Sequence, residues 1–147
     1  MNHLKKITLT IFFSIFYSVI AFATESFFEE AKKKFEKKDY DKSKFLFQRN
    51  IVFNPTNAES YLYLAKIFNN EENQEEEEKN LDTTLLLEPD NEEAIYMLIN
   101  IQLKRSNFEK ANILMNKFSS VCKNMCNKKT EINKSLQDFE ADNDKTY

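Results

Sequence analysis

Two cysteines, a cluster of six acids and one histidine are the residues of this 147-residue chain whose types could do chemistry. Cys122 and Cys126 have three residues between them, which leaves a disulfide, a thiol redox couple or half a metal site to consider. Redox couples normally have two intervening residues, and a closed metal site needs more ligands than two thiols. In an oxidising compartment the pair therefore reads as a structural disulfide. Glu71, Glu72 and Glu75 to Glu78 could attract a basic partner or a weak cation. Acids in a helix first turn also face its partial positive end, and a solvated turn tolerates the rest, which is the reading taken for this run. The only histidine is His3, so the body of the chain lacks the residue most used for proton transfer. A His-based triad and a His-containing metal site are excluded, and no cofactor is expected.

The elements that hold these residues are constrained by composition. The chain contains no Gly and two Pro, with 41% hydrophobic and 31% charged residues. Tight hairpins draw on Gly or Asn at left-handed positions, so a Gly-free chain argues against most β architectures. Glycine-based phosphate loops are excluded. A formal net charge of −3 is of the wrong sign for a nucleic-acid binder. The length fits one domain.

Residues 1–23 read as an address. Lys5 and Lys6 precede an uncharged stretch from Ile7 to Phe22, which ends in Ala21-Phe22-Ala23. This is the layout of a secretory signal peptide with an Ala-x-Ala cleavage site, so the exported chain is expected to begin at Thr24. Cleavage removes two of the 21 basic residues and none of the 24 acids, for a net charge of −5, and takes His3 with it. The competing reading is an uncleaved anchor, since residues 7–23 reach the short limit of a bilayer-spanning helix. Contact with a membrane is expected only through this segment.

The body repeats every 34 residues. Asn54-Pro55 and Glu88-Pro89 are related by that offset, and so are Thr56 with Glu59 and Asp90 with Glu93. Thr56 and Asp90 are expected to be N-caps, with Glu59 and Glu93 completing capping boxes. The segments 58–65 and 92–99 follow in register, and Asp39-Tyr40-Asp41-Lys42-Ser43 aligns with Asn107-Phe108-Glu109-Lys110-Ala111 at twice the offset.

These spacings resemble the tetratricopeptide repeat family, whose unit is a 34-residue helix–turn–helix with small residues at positions 8 and 20 and Pro at 32. Position 8 holds Ala31, Ala65 and Ile99, position 20 holds Ser43, Glu77 and Ala111, and position 24 holds Phe47, Leu81 and Met115. Position 32 holds Pro55, Pro89 and, departing from the pattern, Lys123. The resemblance spans three units over residues 24–124 and implies an all-α solenoid, each unit burying the apolar face of the one before. Glu77, where a small residue is preferred, points to a looser middle unit or a one-residue shift there. Phe28, Ala31 and Phe35 form a stripe that rotates the first helix relative to the family.

The Cys122–Cys126 segment and the helix after it resemble the closing corner of exported bacterial tetratricopeptide proteins. Cysteines four apart in a helix sit near the upper limit of bridgeable distance, so the bridge is expected where helix gives way to turn. The closing helix is read over 130–140, with Ile132, Leu136 and Phe139 as its apolar stripe. The repeat domain is read as 24–141 and the remainder, 142–147, as a disordered tail.

The family places ligands on the concave face, on positions 2, 5, 9 and 12 of each first helix. Carried over, the candidate partner-binding residues are Phe28, Lys32 and Phe35, then Leu62, Lys66 and Asn69, then Tyr96, Asn100 and Leu103. Phe28 stands where carboxylate-gripping relatives carry Lys, which leaves that specificity unsupported. The expected function is a non-catalytic interaction scaffold for a protein or peptide. Its alternative is an anchored structural subunit of an envelope assembly. Usage rich in Lys, Asn and Phe suggests an AT-rich bacterial genome, and hence the periplasm. The residues carry no signal for an oligomeric state.

Overall fold

The computed structural model describes residues 27–143, with side chains through 137. The expected leader and the end of the tail, residues 144–147, lie outside the described residues. Every regular element described is an α-helix: α1 over residues 27–36, α2 Tyr40–Phe53, α3 Ala58–Asn70, α4 Gln74–Leu87, α5 Glu92–Lys104, α6 Phe108–Val121 and α7 Lys128–Asn143. The all-α expectation holds. The chain divides into two compact units, Met1–Ser60 and Tyr61–Tyr147, with the division inside the first turn of α3.

The turns inside the helix pairs repeat as faithfully as the helices. Lys38, Glu72 and Ser106, each 34 residues from the next, have φ of 58°, 58° and 55°. The following residue in each case donates its N–H five residues back: Asp39 to Lys34 at 3.0 Å, Asn73 to Phe68 at 2.9 Å and Asn107 to Gln102 at 2.9 Å. This is the Schellman closure, which places its C′ residue in the left-handed region. Glycine would hold that position without a Cβ penalty, and this chain has none.

The turns between pairs correct the capping expectation. Asn57 donates to the Asn54 carbonyl and Asn91 to the Glu88 carbonyl, closing four-residue turns with Pro55 and Pro89 second. Thr56 and Asp90 are therefore turn residues, and the caps fall one residue later. Asn57 Oδ1 accepts from the Ser60 N–H at 2.8 Å, and Asn91 Oδ1 from the Ala94 N–H at 3.0 Å. Asn73 and Asn107 cap α4 and α6 in the same way.

In the first unit, Ala31 and Ser43 are fully buried, and the Ser43 hydroxyl donates to the Ala31 carbonyl at 2.9 Å. Phe47 is fully buried with its ring edge-on to Phe28. Asn50 donates to the Ser60 hydroxyl at 2.9 Å.

In the second unit, α5 is the most deeply packed helix. Ala94, Leu98 and Ile101 join Leu62, Ala65 and Leu81 in one cluster. Ile95 and Ile99 join Ala111, Met115 and Phe118 in another, together with Ile132 and Leu136 of α7. The closing helix thus covers the last pair through two of its three expected residues; the Phe139 side chain lies outside the described residues. It also runs from Lys128 to Asn143, longer than expected at both ends, so residues 142–143 are helical.

Cys122 caps the C-terminus of α6, and its Cα lies 5.3 Å from that of Cys126, where the two join as a disulfide. The loop between them wraps the Glu92 carboxylate, which accepts from the N–H groups of Lys123 at 2.7 Å, Asn124 at 3.0 Å and Met125 at 3.1 Å. This accounts for the departure at position 32. Proline has no N–H, and here the N–H of Lys123 is in use.

Candidate partner-binding groove

Asn69 at the end of α3, Glu77 at the start of α4 and Lys104 at the end of α5 are brought together because the repeat brings three helix ends to one place. They line two adjoining hollows of the second unit, about 480 Å³ and about 310 Å³ in volume. Tyr96, Asn100 and Leu103 extend the larger one along α5, and Glu131 closes it from α7. Glu72 and Gln74 border the smaller.

Four of the nine expected groove residues therefore line one cavity: Asn69, Tyr96, Asn100 and Leu103. The Tyr96 hydroxyl donates to Glu131 at 3.0 Å, and Lys128 Nζ stands 5.3 Å from its ring centre. Leu62 does not face the groove. It is 5% exposed within the core cluster, because an aliphatic residue on the inner side of α3 gains more from packing on α4 and α5 than from water. Lys66 is held to the side, donating to Glu93 at 2.8 Å and lying 4.8 Å over the Tyr63 ring. Phe28, Lys32 and Phe35 belong to the packing of the first unit: Phe28 against Phe47, Phe35 against Tyr40, and Lys32 Nζ 3.6 Å from Glu59.

The acidic run is not one solvated face. Glu71, Glu72 and Glu75 face outward, and the half-exposed Glu76 pairs with Lys79 at 3.1 Å. Glu77 turns inward and is only 4% exposed, without a shift of register, because Ser43 and Ala111 at the equivalent position are buried in the same way. It accepts one hydrogen bond among the described residues, from Asn69 at 2.9 Å. Burial pushes its carboxyl above the usual range, against the Asn69 hydrogen bond and the Lys104 charge and with the nearby Glu78 charge. Glu78 is the reverse case. Its burial is outweighed by the Arg105 guanidinium, Lys110 and the Gln102 amide, so its carboxyl lies below the usual range.

Lys104, Met97, Ile101 and Glu131 were not among the sequence candidates; Glu72 and Glu77 stood in the acidic run that was read as solvated, and Glu77 was also marked as the departure at position 20. Among the described residues no cluster of His, Cys, Asp or Glu could hold a metal ion, and no helix is long and apolar enough to cross a membrane.

No family model and no curated protein matches the chain. Solved structures do. The Yersinia enterocolitica type III secretion chaperone SycD, in complex with a peptide of the translocator YopD, superposes with a TM-score of 0.69 at 11% identity, covering 81% of this chain and 93% of that one. The Sgt2 TPR domain of Aspergillus fumigatus gives 0.68 at 13% identity, covering 82% of each. The fold is that of the tetratricopeptide repeat. The first such domain of Spaghetti (RPAP3), bound to the HSP90 peptide SRMEEVD, gives 0.66 at 14% identity over 78% of this chain and 93% of that one. The tetratricopeptide register assigned from position 8 and position 20 is thus the register of the folded helices: Ala31, Ala65, Ile99, Ser43, Glu77 and Ala111 are all buried.

Proposed function

We propose that this protein is a non-catalytic scaffold that takes a peptide segment of a partner protein along the α3–α5 face of its second unit, in the bacterial cell envelope after export through residues 1–23. The observation that carries the reading is the convergence of Asn69, Tyr96, Asn100 and Leu103 on one open cavity. Amides flanked by apolar and aromatic surface suit an extended main chain, whose N–H and C=O groups need partners when they leave water. Two solved structures of this fold hold a bound peptide, which supports peptide binding as the use of the fold.

The test is affinity capture from the envelope fraction with the wild-type chain and with Tyr96→Ala and Asn100→Arg. Loss of the captured protein in both variants, with unchanged helical circular dichroism, is expected. Capture that is indifferent to both overturns the assignment to this face. N-terminal sequencing of the native protein is expected to start at Thr24; a start at Met1 overturns cleavage.

A further inference from the structure

Glu77 is the one feature of the groove that the fold does not require. Position 20 is where two helices of a pair meet closely, and the other two units fill it with Ser43 and Ala111. A carboxylate there loses hydration, and a single amide donor offsets only part of that cost. Lys104, on the opposite wall, forms no ion pair with it among the described residues. The lining of the two hollows holds three carboxylates, Glu72, Glu77 and Glu131, against the single ammonium of Lys104. Glu131 is already engaged by Lys128 and Tyr96, whereas Glu77 presents its second oxygen without a hydrogen-bond partner among the described residues.

We propose that Glu77 is a specificity-determining anchor for a cationic side chain, Lys or Arg, of the peptide that occupies the groove. The inference rests on the peptide-binding reading above and adds the chemistry of the occupant. The geometry suits it in three ways. The carboxylate lies at the floor, so a long side chain is needed to reach it from a main chain running past Asn100 and Asn69. Met97 and Leu103, both half-buried, flank the route and would cover the methylene stem of such a side chain. The incoming cation completes a charge-assisted contact in a partly dehydrated place, where such contacts are stronger than at the open surface. This is the opposite polarity to a groove that grips a terminal carboxylate. Burial raises the Glu77 carboxyl further than the Asn69 hydrogen bond and the Lys104 charge lower it.

The experiment uses the full chain labelled with ¹⁵N and two blocked pentapeptides, Ac-Ala-Ser-Lys-Ser-Ala-NH₂ and the same sequence with Gln at the centre. Titrations are followed at the side-chain amides of Asn69 and Asn100, which report even weak binding. The Lys peptide is expected to bind about tenfold more tightly than the Gln peptide, the range of one charge-assisted hydrogen bond. In Glu77→Gln the ratio is expected to fall to within about twofold, with both peptides still bound. Glu77→Ala, which restores a small residue at position 20, gives the same ratio in a second background. A structural role for Glu77 would weaken both peptides alike and leave the ratio unchanged, which overturns the proposal. Equal binding of the two peptides by the wild-type chain also overturns it, while leaving the groove reading intact. No perturbation by either peptide, together with capture indifferent to Asn100→Arg, overturns both.

Discussion

Two carboxylates at helix starts in the second unit have opposite fates. Glu92, at the first residue of α5, is wrapped by three backbone N–H groups of the Cys122–Cys126 loop, led by that of Lys123, and its carboxyl is held below the usual range. Glu77, in the first turn of α4, is buried with one amide donor and is pushed above it. Both sit near a positive helix end, so the dipole does not separate them. The difference is the supply of donors. The corner invests its donors in holding the chain to itself, whereas the groove floor leaves an acceptor under-used. A carboxylate saturated by donors of its own chain reads as structure, and one with spare acceptor capacity at a cavity reads as a place for something else.

The largest way to break this contrast is to remove its shared support. Phe118 is fully buried, packs with Ile132 and Leu136 beneath the corner, and faces the Tyr96 ring of the groove wall at 6.3 Å. Phe118→Ala is expected to cost about 3–5 kcal/mol in urea unfolding and to loosen both regions together. Opening the disulfide separates them. Cys122→Ser is expected to cost about 2 kcal/mol, the chain-entropy value for so short a loop. Hydrogen exchange should then rise in α7 and at the Lys123–Met125 amides before it rises at Glu77.

A smaller change calibrates both regions without favouring either. Ser106 is held at φ 55° in the α5–α6 turn, and Ser106→Gly is expected to stabilise the unit by about 1 kcal/mol by removing the Cβ penalty. A decrease in stability would mean that the left-handed turn is not adopted in solution.

The smallest effects are opposite in sign and sharpen the comparison most. Glu92 has a lowered folded pKa, so its stabilisation is present above the ordinary carboxylate range and is lost as pH falls through the folded value. Glu92→Gln should therefore lower Tm at neutral pH and approach the wild type in acid. Glu77 has a raised folded pKa, set by burial against Asn69 of α3 and Lys104 of α5 and with Glu78 of its own helix. The folded state then holds its proton to higher pH than the unfolded chain, so stability falls as pH rises from the ordinary range through the folded value. Glu77→Gln should raise Tm at neutral pH, with the gain closing in acid. Parallel pH profiles for the two variants would remove the distinction between the regions.

What could be read before folding was what depends on spacing. A 34-residue period in Asn54-Pro55 and Glu88-Pro89, and small residues at Ala31, Ala65, Ser43 and Ala111, specify helix pairs and their close approach because helical geometry converts residue offsets into faces. The expected apolar stripe of α7 was legible for the same reason at Ile132 and Leu136. Local competition was harder to read. Thr56 and Asp90 are good caps by type, but the prolines before them placed both inside a turn and passed the role to Asn57 and Asn91. The absence of glycine argued correctly against hairpins, yet it hid three left-handed turns held by Lys38, Glu72 and Ser106.

The amino-acid order by itself determined the helices and their pairing. Only the tertiary structure decided which acids of the run are buried, that Leu62 belongs to the core, and that Lys123 replaces a proline because its N–H is needed by Glu92. The physical reason is that periodicity is a property of one helix at a time. Whether a carboxylate is satisfied depends on donors that arrive from other helices, and no offset along the chain records their arrival.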